Sequence, residues 1–153
     1  MKDYIVDASV VAKWLLPEPG RDLAKMLIDA PCSLRAPDLI MAELTSIMLK
    51  RIVRKEMTRQ ESTESLQRFI DDYLDNRIRV IPSRLLAEKA LQIANDEKQS
   101  TYDSLYLALA VQARCQFITA DEKLIVAIKD RQLRKHLIAL DDPALKRELL
   151  AAS

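Results

Sequence analysis

Four carboxylates stand out along the chain: Asp7 in "YIVDAS", Glu43 in "APDLIMAEL", Asp103 in "STYDSLYLALA" and Asp121 in "FITADEKL". Asp7 and Asp121 each close a short apolar stretch and open a helical one. Ligands of open parallel sheets bind beyond the carboxyl ends of the strands, so two acids at two such ends can meet in one cleft. An Asp there also caps a helix unaided, by accepting a bond from an amide two or three residues on. For either residue alone, capping is sufficient. Glu43 is harder to place. Leu39, Ile40 and Ile47 lie one turn away, which sets it on the apolar side of its helix. An unpaired ionised carboxylate buried there is costly or takes up a proton. It calls for a cation, an arginine or a metal ion, unless it snorkels to solvent from the stripe's edge. Asp103 stands three residues after Ser100, at capping-box spacing, yet Tyr106, Leu107 and Ala110 share its face.

One Mg²⁺ or Mn²⁺ ion accounts for all four acids together, because hard divalent cations take oxygen ligands. Four separate caps and surface pairs leave Glu43 unexplained. Close carboxylates repel one another, and a divalent ion removes that penalty. Spacing alone is not specific for such a site, with 23 acidic residues among 153.

Other chemistries lack their residues. One glycine, Gly20, excludes the phosphate-cradling GxxxxGK[ST] loop and the GxGxxG turn. One histidine, His136, excludes HExxH zinc chemistry, and no GxSxG elbow accompanies it. His136 reads as a surface or strand-edge residue. Cys32 and Cys115 lie far apart and read as small buried apolar groups. With no paired thiols and no basic-then-apolar leader, a reducing cytosol is the expected home. No apolar run is long enough to cross a bilayer. At 49% hydrophobic and 31% charged, the composition is that of a globular chain. The net charge of +1 leaves any nucleic-acid surface to the segregation of charge.

The elements that must position the acids follow from periodicity. Residues 3–7, "CSLRAP", 78–82, 116–120 and 137–140 read as strands. Helices are expected from Ser9 to the prolines at 17 and 19, over "RDLAKMLIDA", from Asp38 to about Lys55, and from the Thr58/Glu61 capping box onward. The last of these carries a stripe of Leu66, Phe69, Ile70, Tyr73 and Leu74. Further helices are expected from Ser83 to Glu97, from Ser100 or Thr101 to about Arg114, over "DEKLIVAIKD", and after Asp142-Pro143. The order β-α-α-β-α-α-β-α-α-β-α-β-α predicts an α/β fold: a mainly parallel sheet between two helical layers. Residues 1–153 read as one domain, with a core over about 3–140 and a C-terminal helix over about 143–151.

"YIVDASVVAKWLLPEP", "APDLIMAEL", "STYDSLYLALA" and "FITADEKL", in that order, resemble the PIN domain, in particular its VapC-like toxin branch. The resemblance spans roughly residues 3–140, and the first and last motifs are the most specific. It implies a Mg²⁺- or Mn²⁺-dependent ribonuclease whose acids fall on Asp7, Glu43, Asp103 and Asp121. It sets Ser9 and Thr119 where the family often carries a small hydroxyl near the metal, although a local backbone bond also accounts for Ser9. The helical pair over 38–75 fits as well. A VapB-like antitoxin partner and a homodimer built from helical faces are implied too.

An RNA substrate needs cations. Lys13 and Lys123 lie nearest the acids in sequence and are the candidate phosphate contacts. "KRIVRK" (50–55) reads as a solvated helix end, where cations suit the dipole, and "KDRQLRK" (129–135) reads either way. Trp14 reads as core. Competing functions are a housekeeping RNA-processing nuclease and a non-catalytic domain that binds metal with RNA or protein. An aspartate-phosphorylating enzyme ranks below these, because Ser9 stands where that pattern wants a second acid.

Overall fold

The computed structural model describes residues 1–152. Five strands form one sheet: β1 (Lys2–Val6), β2 (Cys32–Pro37), β3 (Ile78–Ile81), β4 (Gln116–Thr119) and β5 (Leu137–Ala139). All four strand pairings are parallel, in the order β3-β2-β1-β4-β5. Central β1 sets Tyr4 against both Leu34 and Gln116, and Val6 against Ile118. Tyr4, Ile5 and Val6 are all buried, because helices cover both faces of the sheet. That is why "YIV" is a continuous apolar run and not an alternating one.

The helices are α1 (Ala8–Leu15), α2 (Arg21–Asp29), α3 (Leu39–Val53), α4 (Arg59–Arg68), α5 (Ala87–Glu97), α6 (Thr101–Ala113), α7 (Glu122–Ala127), α8 (Arg131–Arg134) and α9 (Pro143–Ala152). From β1 the chain steps outward to β2 and β3, then returns past β1 to β4 and β5. Right-handed crossovers therefore put α1–α4 on one face and α5–α8 on the other. The direction reverses between β1 and β4, so a crevice opens where α1 and α7 leave on opposite sides. Buried Trp14 ties α1 to α2 by donating from Nε1 to the Ala24 carbonyl at 2.8 Å. Helix α6 packs on α5 and on β1, β2 and β4, and its buried residues run unbroken from Tyr106 to Ala110.

The expected order holds, with four local differences. The stripe from Leu66 to Leu74 does not continue as one α-helix. After Arg68 the chain widens into a π turn over Phe69–Tyr73, and the Leu74 amide bonds back to the Phe69 carbonyl. The extra residue per turn buries Phe69 and leaves Ile70 exposed. The helix expected from Ser83 starts as a 3₁₀ turn (Ser83–Leu85) and becomes α only at Ala87, while Asp38, whose carboxylate takes the Ser83 amide at 3.1 Å, ties this turn to α3. Helix α8 was not expected; Asp130 caps it by accepting from the Leu133 amide. Cys32 is buried as expected, but Cys115 is only half-buried. No helix among the described residues is long and apolar enough to cross a membrane.

Candidate active site

Asp7 follows the last residue of β1 and caps α1, its Oδ1 accepting from the Val10 amide at 3.2 Å. The side chain is only 8% exposed. The Ser9 hydroxyl donates to Oδ1 at 2.5 Å, and the buried Thr119 hydroxyl, at the end of β4, donates to Oδ2 at 2.6 Å. Each hydroxyl also accepts from across the crevice or next to it: Ser9 Oγ from the Ala120 amide and Thr119 Oγ1 from the Asp121 amide, both at 3.1 Å. Two small polar side chains thus stitch the ends of β1 and β4 together around one carboxylate.

Glu43 lies on the second turn of α3, half-buried as its apolar neighbours require. Among the described residues it pairs with neither arginine nor lysine. Instead, Tyr106 of α6 donates its hydroxyl to Glu43 Oε1 at 2.5 Å. Asp103 stands one turn before Tyr106 on α6. Its amide donates to Ser100 Oγ at 3.1 Å, and that hydroxyl donates back to Asp103 Oδ2 at 2.9 Å. Asp121 caps α7, with Oδ1 accepting from the Lys123 and Leu124 amides. Two of the four acids, Asp7 and Asp121, therefore do cap helices, while Ser100 caps α6 and bonds Asp103 in its first turn.

Their electrostatics show that capping is not all. Burial pushes the Asp7 carboxyl above its ordinary pKa; the bonds from Ser9, Thr119 and Val10 oppose this, and the Asp103 charge adds to it. Burial likewise raises Glu43 against the Tyr106 bond, with Asp7 and Asp103 raising it further. Asp103 is raised by burial and by Asp121, and lowered by Ser100. The charges link the acids in a series: Asp103 acts on Asp7, Asp7 and Asp103 act on Glu43, and Asp121 acts on Asp103. Among the described residues, none of the four has an ion-pair partner.

The donor chemistry fits a hard divalent cation: carboxylate oxygens only, mutually repelling and partly desolvated. Among the described residues, no three His, Cys, Asp or Glu side chains already stand close enough to hold an ion. Asp103 commits one oxygen to the Ser100 hydroxyl and Asp121 one to the amides that open α7; among the described residues the other oxygen of each accepts no bond.

The two candidate phosphate contacts differ. Lys13 is turned to Glu18 at 3.4 Å and to the Pro19 carbonyl at 2.8 Å, and Arg51 also pairs with Glu18. Lys123 is exposed beside Asp121. Lys50 and Arg51 fall in the last turn of α3, the helix-end arrangement expected of "KRIVRK". "KDRQLRK" leads through α8 into the amino end of β5, at the opposite end of the parallel sheet from Asp7 and Asp121. His136 sits at that strand's entrance, with Nδ1 on the Cys115 carbonyl at 2.8 Å. Sequence reasoning gave Tyr106 no role beyond packing. Its helical spacing from Asp103 was visible, but its contact with Glu43 spans 63 positions.

An acid-lined crevice at the reversal point of a five-stranded parallel sheet defines a class, and comparison names it. The PIN domain description matches residues 4–129, and the chain belongs to that family. No curated sequence relative matches. Among solved structures, the chain is similar to PAE2754 of Pyrobaculum aerophilum, at 19% identity and a TM-score of 0.70 over 98% of this chain and 90% of that one. It is also similar to VapBC2 of Rickettsia felis, solved bound to a DNA fragment from its promoter, at 13% identity and a TM-score of 0.57 over 90% and 96%. A third likeness is to VapC20 of Mycobacterium tuberculosis, described as a Sarcin-Ricin loop cleaving toxin, at 16% identity and a TM-score of 0.57 over 86% and 93%. At such identities these likenesses bear on the fold.

Proposed function

We propose that this chain is a metal-dependent endoribonuclease and the toxin of a type II toxin–antitoxin pair. PIN domains are in general nucleases, and similar folds include toxins and toxin–antitoxin complexes. The observation that carries the reading is Asp7: a buried carboxylate at the strand-order reversal, raised by burial, within charge reach of Asp103 and Glu43, and paired with no cation among the described residues.

Asp7, Asp103 and Asp121 would hold Mg²⁺ or Mn²⁺. Bound there, the ion supplies a lowered pKa for its water and polarisation of the phosphate. Ser9 and Thr119 fix the plane of the Asp7 carboxylate. Glu43 ligates or orients the attacking water, and hydrolysis leaves a 5′-phosphate and a 3′-hydroxyl. The RNA 2′-hydroxyl takes no part as nucleophile. A VapB-like antitoxin is the partner. The exposed Leu49 and Val53 on α3 favour a homodimer through helical faces. The cytosol is the place of action.

The test is cleavage of labelled structured RNA with Mg²⁺, Mn²⁺ or chelator, beside Asp7→Asn and Asp103→Asn. The expected result is metal-dependent cutting that falls by about 10³-fold or more in each variant, about 4 kcal/mol of barrier. Equal cutting in chelator, or undiminished cutting by both variants, sinks the reading.

A further inference from the structure

We infer that Tyr106 is a positioning residue for Glu43: its phenol holds one carboxylate oxygen and thereby turns the other toward Asp7 and Asp103. The inference rests on the nuclease reading and adds to it a residue outside the four acids.

Three observations carry it. The phenol is committed, since it donates to Glu43 Oε1 at 2.5 Å from a side chain only 1% exposed. A buried phenol needs an acceptor, and here the acceptor is a candidate ligand and not a backbone carbonyl. The ring itself is fixed, stacked on Phe117 with centroids 5.2 Å apart and planes 15° apart. Phe117 stands two residues before Thr119 on β4, so both side chains leave the same face of that strand. One strand thus supports the ring that holds Glu43 and the hydroxyl that holds Asp7. Third, Tyr106 and Asp103 lie one turn apart on α6, so a single helix carries one acid and orients another from α3.

Without this bond Glu43 is a long side chain at the edge of an apolar stripe, with rotatable torsions and no ion pair. With it, Oε1 is occupied and Oε2 is left for a metal ion or its water. This is the relation by which a hydrogen-bond partner orients a metal ligand.

The test is Tyr106→Phe, which keeps the ring and its stack and removes only the hydroxyl. Mn²⁺ affinity is read by titration calorimetry, and kcat and KM on RNA are read separately. The expected result is a loss of about 10-fold or more in Mn²⁺ affinity and in kcat, with KM for RNA within about 2-fold, because the phenol touches no substrate. In a Glu43→Gln background the same substitution should leave Mn²⁺ affinity unchanged, because the two residues act as one unit. Wild-type Mn²⁺ affinity in Tyr106→Phe, or an equal further loss in the Glu43→Gln background, overturns the assignment. Wild-type protein that neither binds Mn²⁺ nor cuts RNA overturns the nuclease reading beneath it.

Discussion

The two ends of the sheet treat charge in opposite ways. At the amino end, Arg77 stands immediately before β3 and reaches back to the last turn of α2. Its Nε donates to the Ile28 carbonyl at 2.8 Å, Nη1 to Cys32 at 2.7 Å, and Nη2 to Leu27 at 2.5 Å and Ala30 at 3.0 Å. Leu27, Ile28 and Ala30 belong to the last turn and cap of α2, where a helix leaves carbonyls short of donors, and a cation there also meets the negative end of the dipole. Four of the five guanidinium N–H donors are spent on carbonyls, and the group closes a structural gap. At the carboxyl end, four acids are gathered, three of them raised above their ordinary pKa, and among the described residues no cation pairs with any of them. One charge completes the fold, whereas the others strain it. A fold tolerates the second arrangement only where something else makes use of it.

Removing charge should therefore act with opposite sign at the two ends. Arg77→Met removes the guanidinium from four carbonyls, of which Ala30 keeps the Cys32 amide, and is expected to cost about 3 kcal/mol or more. For a domain of this size that lowers the melting temperature by roughly 6–12 °C. Glu43→Gln keeps an oxygen to accept from Tyr106 and removes one of the repelling charges. In chelator it should raise stability by roughly 0.5–2 kcal/mol, the size usual for single stabilising changes. The same variant should lose most of the stabilisation that Mg²⁺ gives the wild type, about 1.4 kcal/mol at ten times the dissociation constant. Thermal melts with and without Mg²⁺ decide the matter. If both substitutions destabilise alike, the acids are structural and the contrast between the ends is lost.

Proton linkage sharpens the contrast. Glu43 and Asp103 are raised in the folded chain, so between the ordinary carboxyl pKa and the folded one the native state holds more protons than the unfolded state. Stability then falls as pH rises through that window. The penalty is absent below the ordinary value, 4.5 for Glu43, and complete above the folded value. Urea melts in chelator should show the advantage of Glu43→Gln over wild type growing as pH rises from about 4.5 toward 8. An advantage that does not change with pH would mean the substitution acts through packing. Arg77 stays protonated throughout, so Arg77→Met should shift the curve without bending it in this range.

What the sequence disclosed, and what it withheld, divides along the same lines. Signals that act within a few residues were legible. Pro17 and Pro19 end α1, "CSLRAP" is β2 to the residue, and the Thr58–Glu61 box is formed reciprocally, with the Thr58 amide to Glu61 Oε2 at 2.7 Å and the Glu61 amide to Thr58 Oγ1 at 3.1 Å. The π turn after Arg68 was not legible, because residues spaced by three and four suit a regular helix equally well and the choice depends on what Phe69 packs against. Helix α8 carries one buried apolar residue, Leu133, too little for a periodic pattern. The acids were visible singly, Glu43 by its misplaced polarity. That they share each other's fields depends on the strand order, which no local pattern states. The Glu43–Tyr106 bond is tertiary in the same sense, as is the hold of Arg77 on α2 across some 45–50 positions.

The smallest expected effect concerns the cations that would meet RNA. Lys13 and Lys123 looked equivalent beside their acids, but only Lys123 keeps an exposed ammonium. Lys13 is engaged by Glu18, which Arg51 also holds, so its charge is already answered inside the protein. Each lysine that neutralises a phosphate on a single strand contributes about 0.7 to the slope of log affinity against log salt. Lys123→Ala should weaken RNA binding by roughly 2–5-fold at low salt and reduce that slope by about 0.7. Lys13→Ala should leave the slope unchanged and instead lower the melting temperature slightly, because it releases the loop that carries Glu18. A slope that falls with Lys13→Ala and not with Lys123→Ala would reverse the assignment and place the RNA path along the seam of α1 and α3.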